Sequence, residues 1–156
     1  MGQASLGERR PTIIGFQSSS RWACARLTRA CPTLHRKTIV PRFALLIHDS
    51  PRGLHYDLLL EAGDVLKTWA LPRIPTPGDE IECEALPDHR LIYLDYEGPV
   101  SGNRGKVSRW DQGTFSVTTW TDDGIDVLLA GEKLAGQIEL RLMPDQSGRW
   151  RLSLRD

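Results

Sequence analysis

The chain has 156 residues, of which 40% are hydrophobic and 26% charged, a balance typical of one globular domain with its own core. No apolar run approaches the roughly 20 residues that span a bilayer, which excludes a membrane-spanning helix. The net charge is zero, but residues 1–42 carry +7 and the remainder −7. An acidic domain is poorly suited to gripping long nucleic acid, because that affinity comes mainly from cations on phosphates. A bound metal ion could still attract one phosphate.

The cysteines Cys24, Cys31 and Cys83 are odd in number and lack CxxC spacing. They fit neither a disulfide framework nor a zinc knuckle. We therefore expect reduced, incidental thiols and a cytoplasmic location.

Residues 1–40 are rich in Arg, Ser and Thr and show no sustained period of 3.6 or 2. We expect this basic extension to be disordered. It could be a transit peptide, a nucleic-acid-binding arm, or the product of a start site assigned too far upstream. The third explanation is favoured, because patterned sequence begins abruptly near Val40. The folded domain is predicted to cover 41–156.

From Arg42 onward, short runs of aliphatic, β-branched and aromatic residues alternate with Gly, Pro, Asp and Asn. This pattern predicts an all-β sandwich or barrel without α-helices. The stretches 61–64, 110–113 and 144–148 are predicted hairpin connections, and the proline-rich stretch 72–79 an irregular loop. The predicted strands are 42–48, 54–61, 65–71, 91–97, 105–110, 113–120, 125–130, 133–142 and 149–154.

A polar cluster follows the strand period of two. In 54–61, alternation places Leu54, Tyr56, Leu58 and Leu60 on the core face, so His55 and Asp57 stand together on the other face. A strand presents two metal ligands at this i, i+2 spacing.

Two further positions extend the polar cluster. His48 ends the preceding strand, and His89 and Tyr93 share one face of the strand predicted near 91–97. Imidazoles with one carboxylate suit manganese, zinc or a similar divalent ion, which leaves positions open for phosphate oxygens. The alternative is a set of ordinary half-buried polar residues that hydrogen-bond at strand ends.

The stretch 48–61 reads HDSPRGLHYDLLLE. It resembles the signature H-D-x-x-R-L-H-Y-D-x-R-L-E of the 3′-phosphoesterase domain of bacterial DNA ligase D. The resemblance covers nearly all of 42–154 in order and continues through VLKTWALP at 65–72, DHRLIYLDYEG at 88–98, the G-x-V-x-x-W-D-x-G pattern at 105–113 and LAGEKLAG at 129–136.

The resemblance implies a compact β-barrel of about eight strands with a crescent-shaped groove. It also implies a manganese-dependent module of bacterial non-homologous end joining that removes a terminal ribonucleoside and the resulting 3′-phosphate. Because no polymerase or ligase domain is evident, we expect a stand-alone version that works with separate ligase or end-joining proteins on nucleic-acid 3′ ends, not on membranes. The implied metal ligands are His48, His55 and Asp57, the implied catalytic residues His89 and Tyr93, and the implied substrate-binding residues Arg52 and Lys67.

The chain departs from the family pattern at three places. The family has a phosphate-clamping arginine two residues after the metal-binding aspartate, where this chain has Leu59. Losing that guanidinium removes a bidentate phosphate donor, which Arg52, Arg90 or Arg104 could replace. One extra residue separates the two histidines, and 79–84 is acidic where the family is basic.

These departures leave three functions open. The first is a metal-dependent phosphoesterase for 3′ ends. The second is a catalytically weakened relative that binds nucleic-acid ends or a repair partner without hydrolysis. The third is a hydrolase for a small phosphorylated metabolite.

Overall fold

The computed structural model describes residues 39–144 and 148–156. The extension predicted over 1–40 lies outside this part of the chain, apart from its last two residues. In the described ranges, no helix has the length and hydrophobicity that crossing a membrane requires. A 3₁₀ helix spans Leu91–Leu94. The strands are β1 (Arg42–Ser50), β2 (Gly53–Ala62), β3 (Val65–Leu71), β4 (Glu80–Arg90), β5 (Gly98–Pro99), β6 (Lys106–Trp120), β7 (Gly124–Gly131), β8 (Ala135–Leu142) and β9 (Arg149–Arg155).

The strands form one antiparallel sheet that closes on itself. Its order is β1-β2-β3-β4-β9-β8-β7-β6, and β6 pairs again with β1. The short strand β5 adds to the edge of β6. Closure lets the backbone groups of β1 and β6 pair with each other instead of forming open sheet edges. The predicted all-β fold with about eight principal strands is confirmed.

Alternate residues of the strands fill the interior of the closed sheet. In β9, Trp150, Leu152 and Leu154 are buried while Arg149 and Arg151 are exposed, which is the strand period of two. Burying one such large apolar side chain contributes about 1.5–3 kcal/mol. The larger members of this inner core include Phe43, Leu45, Leu58, Leu60, Trp69, Leu71, Phe115, Val127, Leu129, Ile138, Leu140 and Leu152.

A second apolar cluster lies on the other face of β1, β2 and β3. Because Leu58 and Leu60 point into the inner core, Leu59 points the opposite way. Arg42 holds the segment after the 3₁₀ helix to β1: its guanidinium donates to the Asp95 carboxylate at 2.7 and 3.2 Å and lowers the pKa of Asp95. This outer apolar cluster consists of Ala44, Leu46, Leu59, Leu66, Leu94 and Val107.

The prediction of a strand over 91–97 is wrong. That stretch begins with the 3₁₀ helix, and the strand lies before it, as β4. Its first half alternates exposed glutamates with buried Ile81 and Cys83, a strand pattern that the acidic composition of 79–84 obscured. His89 therefore lies near the end of a strand and Tyr93 on the helix, so the two do not share one strand face.

The hairpin predicted at 110–113 is also wrong, because these residues lie inside the long strand β6. The pairing of β6 with β1 shifts between Leu45 and Leu46, which leaves Trp110 as an extra residue of β6. Such a β-bulge bends a strand without ending it. The hairpin predicted at 61–64 is confirmed, since β2 and β3 pair up to Ala62 and Val65. Residues 145–147 of the hairpin predicted at 144–148 lie outside the described part.

Asp111 follows the bulge and is only 3% exposed. Its carboxylate accepts hydrogen bonds from the backbone N–H groups of residues 132, 133 and 134, at 3.1, 3.1 and 2.7 Å. An aspartate that resembles a turn residue in the sequence thus anchors the turn between β7 and β8. Residues 133 and 134 belong to this turn, so the strand predicted from 133 begins at Ala135. Leu54, predicted on the core face, is 59% exposed.

Cys83 is buried in the inner core, and burial raises the pKa of its thiol to about 12. Because the thiolate is the reactive form, we expect native-state labelling to be at least about a hundredfold slower than labelling of the unfolded chain. The measurement uses a Cys24→Ser/Cys31→Ser background, which leaves one thiol, and compares alkylation rates with and without denaturant. Equal rates in the two states would contradict this burial.

Candidate metal site

The pairing of β1 with β2 brings two histidines together. His48 and His55 are directly opposite each other in the ladder, and their ring centroids lie 4.5 Å apart. Asp57 lies two residues further along β2 and therefore on the same face as His55. One ligand atom from each residue can be chosen so that all three lie within 4.8 Å of one another. The predicted cluster is thus assembled on the outer face of the closed sheet, away from the inner core.

Hydrogen bonds to the backbone orient both imidazoles. His48 Nε2 lies 2.8 Å from the carbonyl oxygen of Arg104, and His55 Nδ1 lies 3.2 Å from that of Gly53. A carbonyl can only accept, so in a neutral imidazole each of these nitrogens carries the proton. The lone pairs of His48 Nδ1 and His55 Nε2 are then left for another partner. Carbonyl acceptors of this kind fix the tautomer of metal-binding histidines in general.

Both free nitrogens face the carboxylate of Asp57. His48 Nδ1 lies 3.0 Å from Oδ2, and His55 Nε2 lies 3.4 Å from Oδ1. Asp57 is 5% exposed, and its Oδ1 has no hydrogen-bond partner among the described residues. Lone pairs that converge on a buried carboxylate repel one another unless a cation lies between them. The three side chains therefore fit a divalent metal ion with nitrogen and oxygen ligands.

The three residues line a cleft of about 680 Å³ on the outer face. One wall is the turn between β1 and β2, which contains Arg52. A second wall comes from the end of β4 and the 3₁₀ helix, and a third from the loop between β5 and β6. The other lining residues include Leu59, Leu86, Asp88, His89, Arg90, Tyr93, Ser101, Asn103 and Arg104.

His89 and Tyr93 meet in this cleft even though they belong to different elements. Their rings pack edge to face with centroids 5.5 Å apart, and Tyr93 packs in the same way on Tyr96 at 5.7 Å. His89 Nδ1 lies 2.8 Å from the carbonyl oxygen of Pro87, so its Nε2 is left for the cleft. Both side chains are partly exposed. They line the same cleft as the histidine–aspartate cluster.

The two predicted substrate-binding residues differ in position. Arg52 lines the cleft and a smaller neighbouring one of about 320 Å³. Lys67 is not among the lining residues, and its ammonium donates to both oxygens of Asp88, at 2.8 and 2.9 Å. Lys67 thus offsets the charge of Asp88, which does line the cleft.

Leu59, where the family pattern has an arginine, lies at the floor of the cleft and is 1% exposed. It packs in the outer apolar cluster with residues such as Leu46 and Val107. Strand β2 therefore offers no cation beside Asp57. Any arginine or lysine that binds a phosphate in this cleft must therefore come from the walls.

The sequence analysis named Arg104 as a possible source of positive charge, but it did not predict that the loop 101–105 contacts the candidate ligand His48. Gly105 has φ +96°, and a Cβ at this position would lie 1.9 Å from the carbonyl oxygen of Asp49. Only glycine allows the loop to approach the end of β1 this closely. That approach brings the Arg104 carbonyl to His48. The signal available in the sequence was Gly105, a glycine that comes directly before a strand neighbouring the predicted ligand His48.

Replacing Gly105 with alanine is expected to push the loop away from β1 and remove the acceptor that orients His48. Losing such a partner weakens metal binding by roughly tenfold to a hundredfold in other sites. Manganese affinity measured by titration calorimetry tests this expectation. Gly102→Ala is the matched control: Gly102 also has positive φ, but the nearest atom to its added Cβ would be 3.9 Å away, in a side chain. Equal losses of manganese affinity in Gly105→Ala and Gly102→Ala would contradict the steric argument.

A closed all-β domain with a histidine–histidine–aspartate cluster in an outer cleft is the class of protein that this fold and site define. Residues 47–141 match the family described as the DNA ligase D 3′-phosphoesterase domain. The chain belongs to this family, as the sequence resemblance indicated. Membership supports a 3′-end-processing activity in DNA repair.

Two curated relatives show the extent of the similarity. The multifunctional non-homologous end joining protein LigD of Pseudomonas aeruginosa is 34% identical over 109 residues, which are 64% of this chain and 13% of the relative. The multifunctional non-homologous end joining DNA repair protein LigD of Mycobacterium tuberculosis H37Rv is 33% identical over 107 residues, 63% of this chain and 14% of the relative. The chain thus spans about one seventh of the length of these relatives.

Proposed function

We propose that residues 41–156 form a divalent-metal-dependent phosphoesterase that acts on the 3′ ends of nucleic acid, with manganese as the preferred ion. One observation carries the proposal. The free nitrogens of His48 and His55 converge on the buried carboxylate of Asp57, and backbone carbonyls fix both imidazoles in that orientation. This donor set is suited to a divalent transition metal.

The residues around the cluster have separate roles in this proposal. A bound divalent ion would polarise a phosphate oxygen and lower the pKa of a coordinated water. His89 would act as an imidazolium: its Nδ1 donates to the carbonyl of Pro87, and its Nε2 donates a proton to a phosphate oxygen or to the leaving oxygen. Tyr93 packs against His89 and limits its rotation. Arg52 binds a phosphate oxygen from the turn, and Lys67 acts indirectly by compensating Asp88.

The charge distribution favours a terminal phosphate as the substrate over a long stretch of nucleic acid. The domain is acidic overall, whereas Arg52, Arg90 and Arg104 line the cleft. A few local cations can hold one phosphate, but they cannot follow an extended backbone. We propose that this activity serves end joining in the bacterial cytoplasm together with separate ligase or end-joining proteins. The names of the two relatives, both non-homologous end joining proteins, support the end-joining part of this proposal.

The test is release of phosphate from a primer-template whose primer ends in a 3′-phosphate, with manganese or with a chelator. We expect metal-dependent turnover by the wild-type chain and loss of turnover in His55→Ala. A duplex with a 5′-phosphate controls for specificity, and a primer with a 3′-terminal ribonucleotide tests the second reaction. Turnover that persists unchanged in His55→Ala, or that requires no metal, would overturn the proposal.

A second candidate is a catalytically weakened relative that binds 3′ ends or a repair partner without hydrolysis. The observation that favours it is Leu59, buried where the family pattern has an arginine. This candidate predicts manganese binding and retention of 3′-phosphorylated DNA with no release of phosphate. The same assay, read by electrophoretic mobility shift and by phosphate release, separates the two functions.

A further inference from the structure

We propose that Arg104 is the phosphate-binding residue of the metal cleft, so that the loop 101–105 supplies the positive charge that β2 lacks at Leu59. This inference rests on the proposed function and specifies how its substrate is held.

The first argument is the ion pairing of the arginines. The structure describes ten arginines, and seven of them lie within 4.0 Å of a carboxylate oxygen. The remaining three, Arg52, Arg90 and Arg104, have no such partner among the described residues, and all three line the cleft. In an acidic domain, arginines without a carboxylate partner are available for an external anion.

The second argument is the attachment of Arg104 to the metal site. Its carbonyl oxygen lies 2.8 Å from His48 Nε2, so the main chain of Arg104 directly contacts a candidate ligand residue. Gly105 enforces this approach, because any side chain there would collide with the backbone of β1. Arg52 and Arg90 have no comparable bond to the cluster. The main chain of Arg104 is therefore fixed at the edge of the metal cleft, and Arg104 is one of the residues that line this cleft.

The third argument is the arrangement of the side chain itself. Arg104 Nε donates to the carbonyl of Ser101 at 2.8 Å, and Nη2 lies 3.3 Å from Ser101 Oγ. These local bonds hold the guanidinium over its own loop, and the other N–H groups have no partner among the described residues. Ser101 also lines the cleft. A guanidinium already fixed at one edge loses less entropy when it binds phosphate in a fork geometry.

The test compares Arg104→Ala, Arg104→Lys and Arg151→Ala in the full chain. Arg104→Ala retains the backbone carbonyl that orients His48, so manganese affinity should stay within about twofold of wild type. Inorganic phosphate binding to the manganese-loaded chain, measured by calorimetry, should weaken roughly tenfold to a hundredfold. The phosphate affinity of Arg104→Lys should lie between those of wild type and Arg104→Ala, because an ammonium keeps the positive charge but cannot bind phosphate in a bidentate manner. Arg151 lies outside the cleft and has one distant ion pair, at 4.0 Å, so its variant should match wild type.

Arg104→Ala with phosphate affinity equal to wild type would overturn this inference, as would absence of phosphate binding by the wild-type chain. Failure of the proposed function gives a different result. In that case the wild-type chain itself releases no phosphate from the 3′-phosphorylated primer-template, or releases it without manganese. A parallel loss of manganese affinity in Arg104→Ala would assign the side chain a structural role and would also overturn the inference. The two proposals can therefore fail separately.

Discussion

The Asp57→Asn variant is expected to lose at least about a thousandfold of the manganese-dependent phosphoesterase activity while keeping its thermal stability. The amide removes the negative charge and one of the two oxygens that face His48 and His55. A metal ion supplies several kcal/mol of transition-state stabilisation, and about 4 kcal/mol corresponds to a thousandfold in rate. Stability should not fall, because Oδ1 of Asp57 has no hydrogen-bond partner in the described structure.

Asp64→Asn is the matched control, since Asp64 is an exposed carboxylate in the turn between β2 and β3. Initial rates with a 3′-phosphorylated primer-template and melting temperatures are measured for both variants and for wild type. The expected pattern is lost activity in Asp57→Asn alone, with similar melting temperatures in all three. A large fall in melting temperature for Asp57→Asn would instead make Asp57 a structural residue.

The Asp111→Ala variant is expected to lose roughly 3 kcal/mol of the free energy of unfolding without a direct effect on the metal cluster. The substitution leaves the N–H groups of residues 132–134 without their acceptor and opens space beside β6. The neighbouring Gly131 is tightly enclosed by groups that the substitution does not remove, since a Cβ there would lie 2.6 Å from the carbonyl oxygen of Leu134 and 2.7 Å from the ring of Phe43. This turn therefore has little room to find other partners.

Urea unfolding gives the required free energies, with Asp123→Ala as the control. Asp123 lies in an exposed turn, and its carboxylate accepts one hydrogen bond, from the hydroxyl of Thr121 at 2.8 Å. We expect its replacement to cost about 0.5 kcal/mol, which is typical of exposed positions. Similar unfolding midpoints for the two variants would contradict the assigned role of Asp111.

The sequence predicts the grouping of His48, His55 and Asp57 well, because this geometry follows from local rules. The period of two places His55 and Asp57 on one face, and the short turn at 51–52 pairs β2 with β1 so that His48 lies opposite His55. Both facts depend on neighbouring residues in the chain. The same reasoning predicts most of the strands around the inner core.

Other features depend on contacts between distant residues and could not be predicted in the same way. The stretch 110–113 has turn composition, yet it continues β6, because a bulge against β1 and the hydrogen bonds of Asp111 stabilise an extended backbone. Segment 91–97 has strand composition, but Leu94 packs in the outer apolar cluster from a 3₁₀ helix. In both cases tertiary contacts override local propensity.

The cleft walls are the third such case. Arg90 and Arg104 are 14 positions apart in the chain, and neither belongs to a motif that indicates where its side chain lies. Their shared cleft results from the closure of the sheet and from the approach of Gly105 to β1. The sequence shows that Leu59 removes a cation. The three arginines that the sequence offers as replacements, Arg52, Arg90 and Arg104, all line the cleft, and only the assembled fold shows this.

Metal content is the most direct test of the central claim that His48, His55 and Asp57 hold a divalent ion. The purified wild-type chain and His55→Ala are each incubated with manganese, dialysed and analysed for bound metal. We predict about one equivalent in wild type and essentially none in His55→Ala, because one of three protein ligands is lost. A wild-type chain that retains no metal, or a variant that retains as much as wild type, would contradict the account.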